Sequence, residues 1–310
     1  MKRLEYLDQI KGIAIFLMVM GHVILFTFDA KNCTIEKMFF FNMPAFFYVS
    51  GYLLYKEVDN LKDFFERLKH KAARLLPPWL AATVVWSFVN GDEFFSTLCL
   101  FYWFFYVLFL LTVITIVMEF VIFRHLKNPE LYCLALLIIP AVSAGLKFMG
   151  FASYLPAPWL CMYSLPFLFG WVCRKYEKVN SFVLNNPVLF VISLAVFLMT
   201  WYKADVANNY IQIVAAIAGI IVIQSVLYHR EVAGKKMAVV SKLGRSSLAI
   251  YALNNFFLPD LRWGGHFPFF AGHGLVLELI VLGLVTSAVI ACCIAVETVF
   301  HNNKYLSKIL

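Results

Sequence analysis

From Tyr6 to Phe300 this 310-residue chain is a succession of long apolar runs separated by short polar segments, and few folds tolerate that pattern. In hydrocarbon every backbone amide and carbonyl must be satisfied within the protein, so only helices and closed barrels cross a bilayer. A helix rising about 1.5 Å per residue needs roughly 20 apolar residues to cover a hydrocarbon core of about 30 Å. The runs are Tyr6–Phe28, Phe39–Tyr55, Leu75–Val89, Phe95–Phe123, Leu131–Phe148, Leu155–Cys173, Val188–Tyr202, Tyr210–Tyr228, Ser246–Leu258 and Leu275–Phe300. They predict an all-α, polytopic transmembrane bundle of about ten spans, organised as one membrane domain over 1–310, with no internal repeat and no soluble domain. Leu75–Val89 and Ser246–Leu258 are short, and the second carries Asn254 and Asn255, so either is expected as a partial or broken span shielded by other helices.

Charge supports the same architecture. Only 14% of the residues are charged, against about 25% in soluble domains, and 62% are hydrophobic. The net charge of +8 invites a nucleic-acid partner, but its distribution follows topology instead. With a cytosolic N-terminus, all of the 26 lysines and arginines except Lys31, Lys37, Lys147, Lys203 and Arg262 fall on the inner side. That asymmetry predicts an even number of spans with both termini cytosolic. Met1-Lys2-Arg3 and the run behind it are read as an uncleaved first span, because Asp8 and Lys11 interrupt its start and no small-residue cleavage site precedes Asp29. The seven cysteines lie mostly within the runs and form no Cys-x-x-Cys pair, so they read as packing residues, with no metal site.

Ionisable groups are costly in the bilayer and by default face a cavity or a partner. The first run holds three. At 100° per residue Lys11 and His22 point about 20° apart, and Asp8 lies about 40° from His22, so all three share one face. Asp8, one turn before Lys11, is placed to pair with its ammonium. Eleven residues put His22 about 16 Å beyond Lys11, near the middle of the hydrocarbon layer.

The largest inner segment, Lys56–Arg74, repeats Leu61, Phe64, Phe65 and Leu68 at helical spacing, which predicts an amphipathic helix near 60–74 on the inner membrane surface. Pro77 and Pro78 are then expected to turn the chain into the next span. Arg67, Lys71 and Arg74 form a cationic stripe on that helix. It serves either attraction to anionic headgroups or docking of a phosphorylated cytosolic molecule. In the last outer loop Arg262, Trp263, His266 and His273 suit either carbohydrate stacking or interfacial anchoring. Glu119, Glu278 and Glu297 stand near span ends, where they are expected to reach water or cations.

Four segments together resemble the acyltransferase-3 family of membrane acyltransferases. Tyr6-Leu7-Asp8-Gln9-Ile10-Lys11-Gly12-Ile13-Ala14, with His22 following, is similar to the family's first span. Phe41-Asn42-Met43-Pro44-Ala45-Phe46-Phe47-Tyr48-Val49-Ser50-Gly51-Tyr52 resembles its Met-Pro-x-Phe-Phe-x-x-Ser-Gly signature. Arg67-x-x-x-Lys71-x-x-Arg74-Leu75-Leu76-Pro77 matches its basic run before the third span. Leu243-Gly244-Arg245-Ser246-Ser247-Leu248-Ala249-Ile250-Tyr251 is similar to its late Gly-x-x-Ser-Leu-x-Ile-Tyr segment. Two positions depart from the family: Lys11 stands where arginine is more frequent, and Asn254 where histidine often follows the Ile-Tyr pair.

The resemblance implies transfer of an acyl group, commonly acetyl, from cytosolic acyl-coenzyme A to a hydroxyl of a cell-envelope glycan or glycolipid. It implies a bacterial cytoplasmic (inner) membrane location, no permanently bound cofactor and no nucleic-acid partner. Removing a hydroxyl proton needs a base, which is His22, whether by direct transfer or through an acyl-histidine. Lys11 is expected to polarise the thioester carbonyl or hold a donor phosphate, with Asp8 orienting it. Arg67, Lys71, Arg74, Asn42, Ser50, Tyr251 and Asn254 are the substrate-binding candidates. For Asn42, Tyr251 and Asn254 core hydrogen bonding competes with that role, and Ser50-Gly51 also suits close helix approach. The rival reading of the intramembrane His, Lys and Asp is a polytopic secondary transporter, although the paired repeats of such folds are not evident.

Overall fold

The structure is a computed structural model, which describes residues 4–28, 41–56, 60–123, 137–149, 156–200, 209–260 and 275–303. Among them about 90% of the chain is helical, with no strand. The main helices are α1 (Glu5–His22), α2 (Asn42–Leu54), α3 (Leu61–Asn90), α4 (Trp103–Met118), α5 (Ile138–Phe148), α6 (Ala157–Lys175), α7 (Glu177–Asn185), α8 (Pro187–Thr200), α9 (Asn209–Val232), α10 (Ala238–Arg245), α11 (Ser247–Leu253) and α12 (Leu275–Asn302). Five stretches, Glu5–Thr27, Leu61–Asn90, Trp103–Val121, Ile211–Val232 and Val276–Asn302, are long and apolar enough to cross a membrane. A sixth is added if α7 and α8 count as one broken span. The expected runs Phe39–Tyr55, Leu131–Phe148, Leu155–Cys173 and Val188–Tyr202 each extend beyond the described residues, as do Lys31, Lys37, Lys203 and the loop of Arg262, Trp263, His266 and His273.

Two of the expected short spans take instructive forms. Ser246–Leu258 is a short helix, α11, followed by the 3₁₀ turn Asn254–Phe257, as its two asparagines foreshadow. Pro77 and Pro78, by contrast, do not turn the chain: the amphipathic segment and the third run form one helix of 30 residues. Each proline removes only its own amide bond, to the carbonyl four residues earlier. The buried side chains of Leu75, Pro78 and Trp79 hold the helix across that gap. Asn60 caps its start by accepting the Asp63 amide at 2.9 Å.

Packing gathers the chain into two compact units, Met1–Phe46 with Leu184–Leu310, and Phe47–Val183, so that the boundaries fall inside α2 and α7. In the first unit α1 lies directly on α10. A Cβ on Gly12 would stand 2.0 Å from the Val240 carbonyl oxygen, and one on Gly244 1.7 Å from that of Asp8, so only glycine permits this approach. The first and last family-like segments are thereby pressed together. Leu4 offers α1 no side-chain cap, and Glu231 supplies one from α9: its carboxylate accepts the Tyr6 amide at 2.7 Å and that of Glu5 at 3.4 Å. Glu5 in turn pairs with Lys236 at 2.9 Å, which raises the lysine's pKa above its usual value.

In the second unit α2 and α6 approach through Gly51 and Gly170. A Cβ on either would come within about 2 Å of a carbonyl oxygen, at Phe167 and Tyr48 respectively. Aromatic stacking fills the space beside them. The Phe47 and Tyr163 rings lie 4.7 Å apart, and Trp103 stacks on Tyr163 at 5.3 Å and on Trp159 at 5.1 Å.

Candidate active site

The sequence-predicted residues divide between the units. Asp8, Lys11, His22, Asn42, Tyr251 and Asn254 belong to the first, and Ser50, Arg67, Lys71 and Arg74 to the second.

In the first unit α1 is unbroken from Glu5 to His22, so the face shared by Asp8, Lys11 and His22 in the sequence is preserved. Asp8 Oδ1 and Lys11 Nζ form a salt bridge of 2.9 Å with side chains only 6% and 12% exposed, the i, i+3 pair expected from spacing. His22 is the last α-helical residue before the wider π turn Val23–Thr27. Such turns recur where a helix must offer a side chain for chemistry. Its Nδ1 lies 2.6 Å from Oδ1 of Asn254, which is fully buried at the α11 to 3₁₀ junction.

Asn254 decides which nitrogen of His22 carries hydrogen. Its Nδ2 donates to the carbonyl oxygens of Ile250 at 3.1 Å and Tyr251 at 2.7 Å, so both amide hydrogens are spent on the preceding turn. Its Oδ1 is therefore an acceptor, and Nδ1 of His22 must be the donor. In the neutral imidazole the lone pair then resides on Nε2, which no protein group among the described residues occupies. A base with its lone pair unclaimed and its ring orientation fixed is what proton abstraction requires.

The other candidates in this unit are structural neighbours of that pair or of the core. Tyr251 is buried and lends its carbonyl to Asn254. Asn42 is buried and accepts the Met43 amide at 2.5 Å. Sequence reasoning passed over Gln9, which is fully buried beside Asp8 with both amide atoms lacking a partner among the described residues. An amide inside an apolar run was the available signal.

The second unit treats its cations differently. Arg67, 8% exposed, pairs with the buried carboxylate of Glu119, and Trp171 Nε1 donates to the same carboxylate. Arg67 also donates to the carbonyl of Leu54 and, at 3.0 Å, to that of Lys56, while Lys71 reaches the Leu53 carbonyl at 3.4 Å. The Leu53 and Leu54 carbonyls close α2, where cations complement the negative end of the helix dipole. The stripe read from the sequence therefore splits into a buried clamp, Arg67, a half-buried Lys71 and an exposed Arg74. Lys56, Asp63, Glu66, Arg67, His70 and Lys71 border a cavity of about 390 Å³ there. Ser50 is half-buried next to Gly51, whose close contact with α6 is a packing role.

Compared with known proteins, residues 4–298 match the family model described as an acyltransferase domain. No curated protein and no solved structure matches the chain.

Proposed function

Because the chain belongs to the acyltransferase-3 family, whose domain covers nearly all of it, we propose that it transfers an acyl group, acetyl, from cytosolic acyl-coenzyme A to a hydroxyl of a cell-envelope glycan or glycolipid. In this reading it crosses the bacterial cytoplasmic membrane ten times with both termini cytosolic. The observation that carries the proposal is the His22–Asn254 pair, a hydrogen bond to a fully buried asparagine that leaves one imidazole nitrogen open among the described residues.

The steps follow from that geometry. Nε2 of His22 takes the proton of the acceptor hydroxyl as its oxygen attacks the thioester carbonyl. The carbon–sulfur bond breaks, and the proton leaves the imidazolium for the departing thiolate of coenzyme A. Asn254 holds the ring throughout through the Nδ1–H bond. A transient acyl-histidine would use the same lone pair as nucleophile.

Lys11 lies about 16 Å along the helix from His22, farther than its side chain reaches, so it is assigned to the donor's polar end and not to the reacting carbonyl. Asp8 keeps it oriented. In the second unit Lys71 and Arg74 are assigned to attracting the donor phosphates, while Arg67, paired with Glu119, offers no free charge. The test is incubation of the purified full chain with labelled acetyl-coenzyme A and a panel of envelope glycans. Label appearing on a glycan, and absent with His22→Ala, supports the reading. Transfer undiminished in that variant would overturn it.

A further inference from the structure

Helix α9 ends in a turn that gathers positive charge. Gly234 adopts φ of 73°, and the amides of Gly234 and Lys235 return to the carbonyls of Glu231 at 3.0 Å and Arg230 at 2.9 Å, the paired reverse bonds of a Schellman stop. The chain doubles back so that Arg230 and Lys235 both border a cleft of about 470 Å³ at the start of α8.

This cleft lacks any acid. None of its lining residues is Asp or Glu. The nearby carboxylates are engaged elsewhere, Glu231 on the amides of Glu5 and Tyr6, and Glu5 on Lys236. Arg230 and Lys235 make no ion pair among the described residues. The backbone around them is already satisfied: the Leu184 carbonyl accepts from Ser225 Oγ at 2.8 Å and His229 Nε2–H at 3.1 Å. Asn186 Oδ1 accepts the Val188 and Leu189 amides at 2.9 and 3.0 Å. What the cleft leaves unanswered is charge, and an oxyanion answers it.

The rest of the lining names the kind of anion. Phe190 and Val226 give the cleft an apolar wall. Val191 and Leu198, about 40° and 20° from the cleft-lining Pro187 at 100° per residue, continue from it along α8, each more than half exposed. A soluble phosphate gains nothing from that strip, whereas a lipid lays an acyl chain on it while its headgroup sits over the cations. We propose that this cleft binds the phosphate of an anionic membrane phospholipid, with Arg230 and Lys235 holding the phosphate and the α8 strip an acyl chain. The proposal is independent of the acyl-transfer reading.

The experiment is native mass spectrometry of the full chain with phosphatidylglycerol, phosphatidylcholine, inorganic phosphate and acetyl-coenzyme A as separate probes. Wild type retains phosphatidylglycerol in preference to phosphatidylcholine, and neither soluble probe displaces it. Arg230→Gln with Lys235→Gln weakens that retention about 30-fold, the effect of two charges at a lipid surface. Arg230→Lys with Lys235→Arg keeps it. Each single Gln variant gives about a fivefold loss, which carries the test if the double variant does not fold. Undiminished phosphatidylglycerol retention in the Gln variants overturns the site. Binding of phosphate or acetyl-coenzyme A that those variants abolish, with no lipid preference, overturns the lipid assignment.

Discussion

His22 and Glu119 occupy the same backbone device and come to opposite ends. Each stands where an α-helix widens into a π turn, His22 just before Val23–Thr27 and Glu119 as the first residue of Glu119–Phe123. Around Glu119 the network is closed: Arg67 and Trp171 take both carboxylate oxygens, and the arginine spends its remaining reach on the carbonyls of Leu54, the last of α2, and Lys56 just beyond it. Around His22 it is open, with one nitrogen anchored to Asn254 and the other unclaimed among the described residues. Saturated polar groups in an apolar surrounding fix architecture, because every partner lost is an unpaired charge. A group held on one side and open on the other is positioned to react.

The comparison is broken most readily at His22. His22→Ala removes the proposed base, and kcat is expected to fall about 10³-fold, within the range for general-base loss, while the chain still folds. A variant that retains transfer would move the chemistry elsewhere. Next in size is Glu119→Gln, which leaves the Arg67 charge buried and unpaired and is expected to cost about 3 kcal/mol of stability. Thermal unfolding in detergent reads it, and transfer per folded molecule should stay near wild type. If stability holds while donor KM rises, the closed network belongs to the site after all.

Asn254→Ala tests the open side more finely. Loss of the hydrogen bond frees the ring, and kcat should drop about tenfold with KM unmoved, corresponding to one hydrogen bond of roughly 1.5 kcal/mol. Asn254→Asp keeps an acceptor and should recover part of the loss while displacing the pH–rate profile, a readout that simple destabilisation would not move. The smallest effect is expected from Lys71→Gln with Arg74→Gln: a rise of about threefold in donor KM that fades with added salt. Loss of kcat instead would give these residues a part in the chemistry.

Much of the first unit was legible because its information is local. The Asp8–Lys11 pair and the common face with His22 follow from helical spacing within one run. Asn254 was visible as an amide out of place, but not as the partner of His22, since periodicity says nothing about two residues 232 positions apart. The cationic stripe shows the same limit. Spacing correctly put Arg67, Lys71 and Arg74 along one helix, yet Glu119, 52 residues away, is what buries the first and separates its role from the others. At Pro77 and Pro78 a sound local rule lost to tertiary packing, because buried neighbours hold the helix through two missing amide bonds.

The partner of His22 is an amide and not a carboxylate, and this has an electrical consequence. Moving one elementary charge across a membrane at 100 mV involves about 2.3 kcal/mol, so a fixed charge at mid-depth ties a protein's energy to the voltage. In the proposed reading the resting imidazole is neutral, and bonded to asparagine it presents nothing for the field to act on. The resting site should be equally intact in an energised membrane and in one whose potential has collapsed.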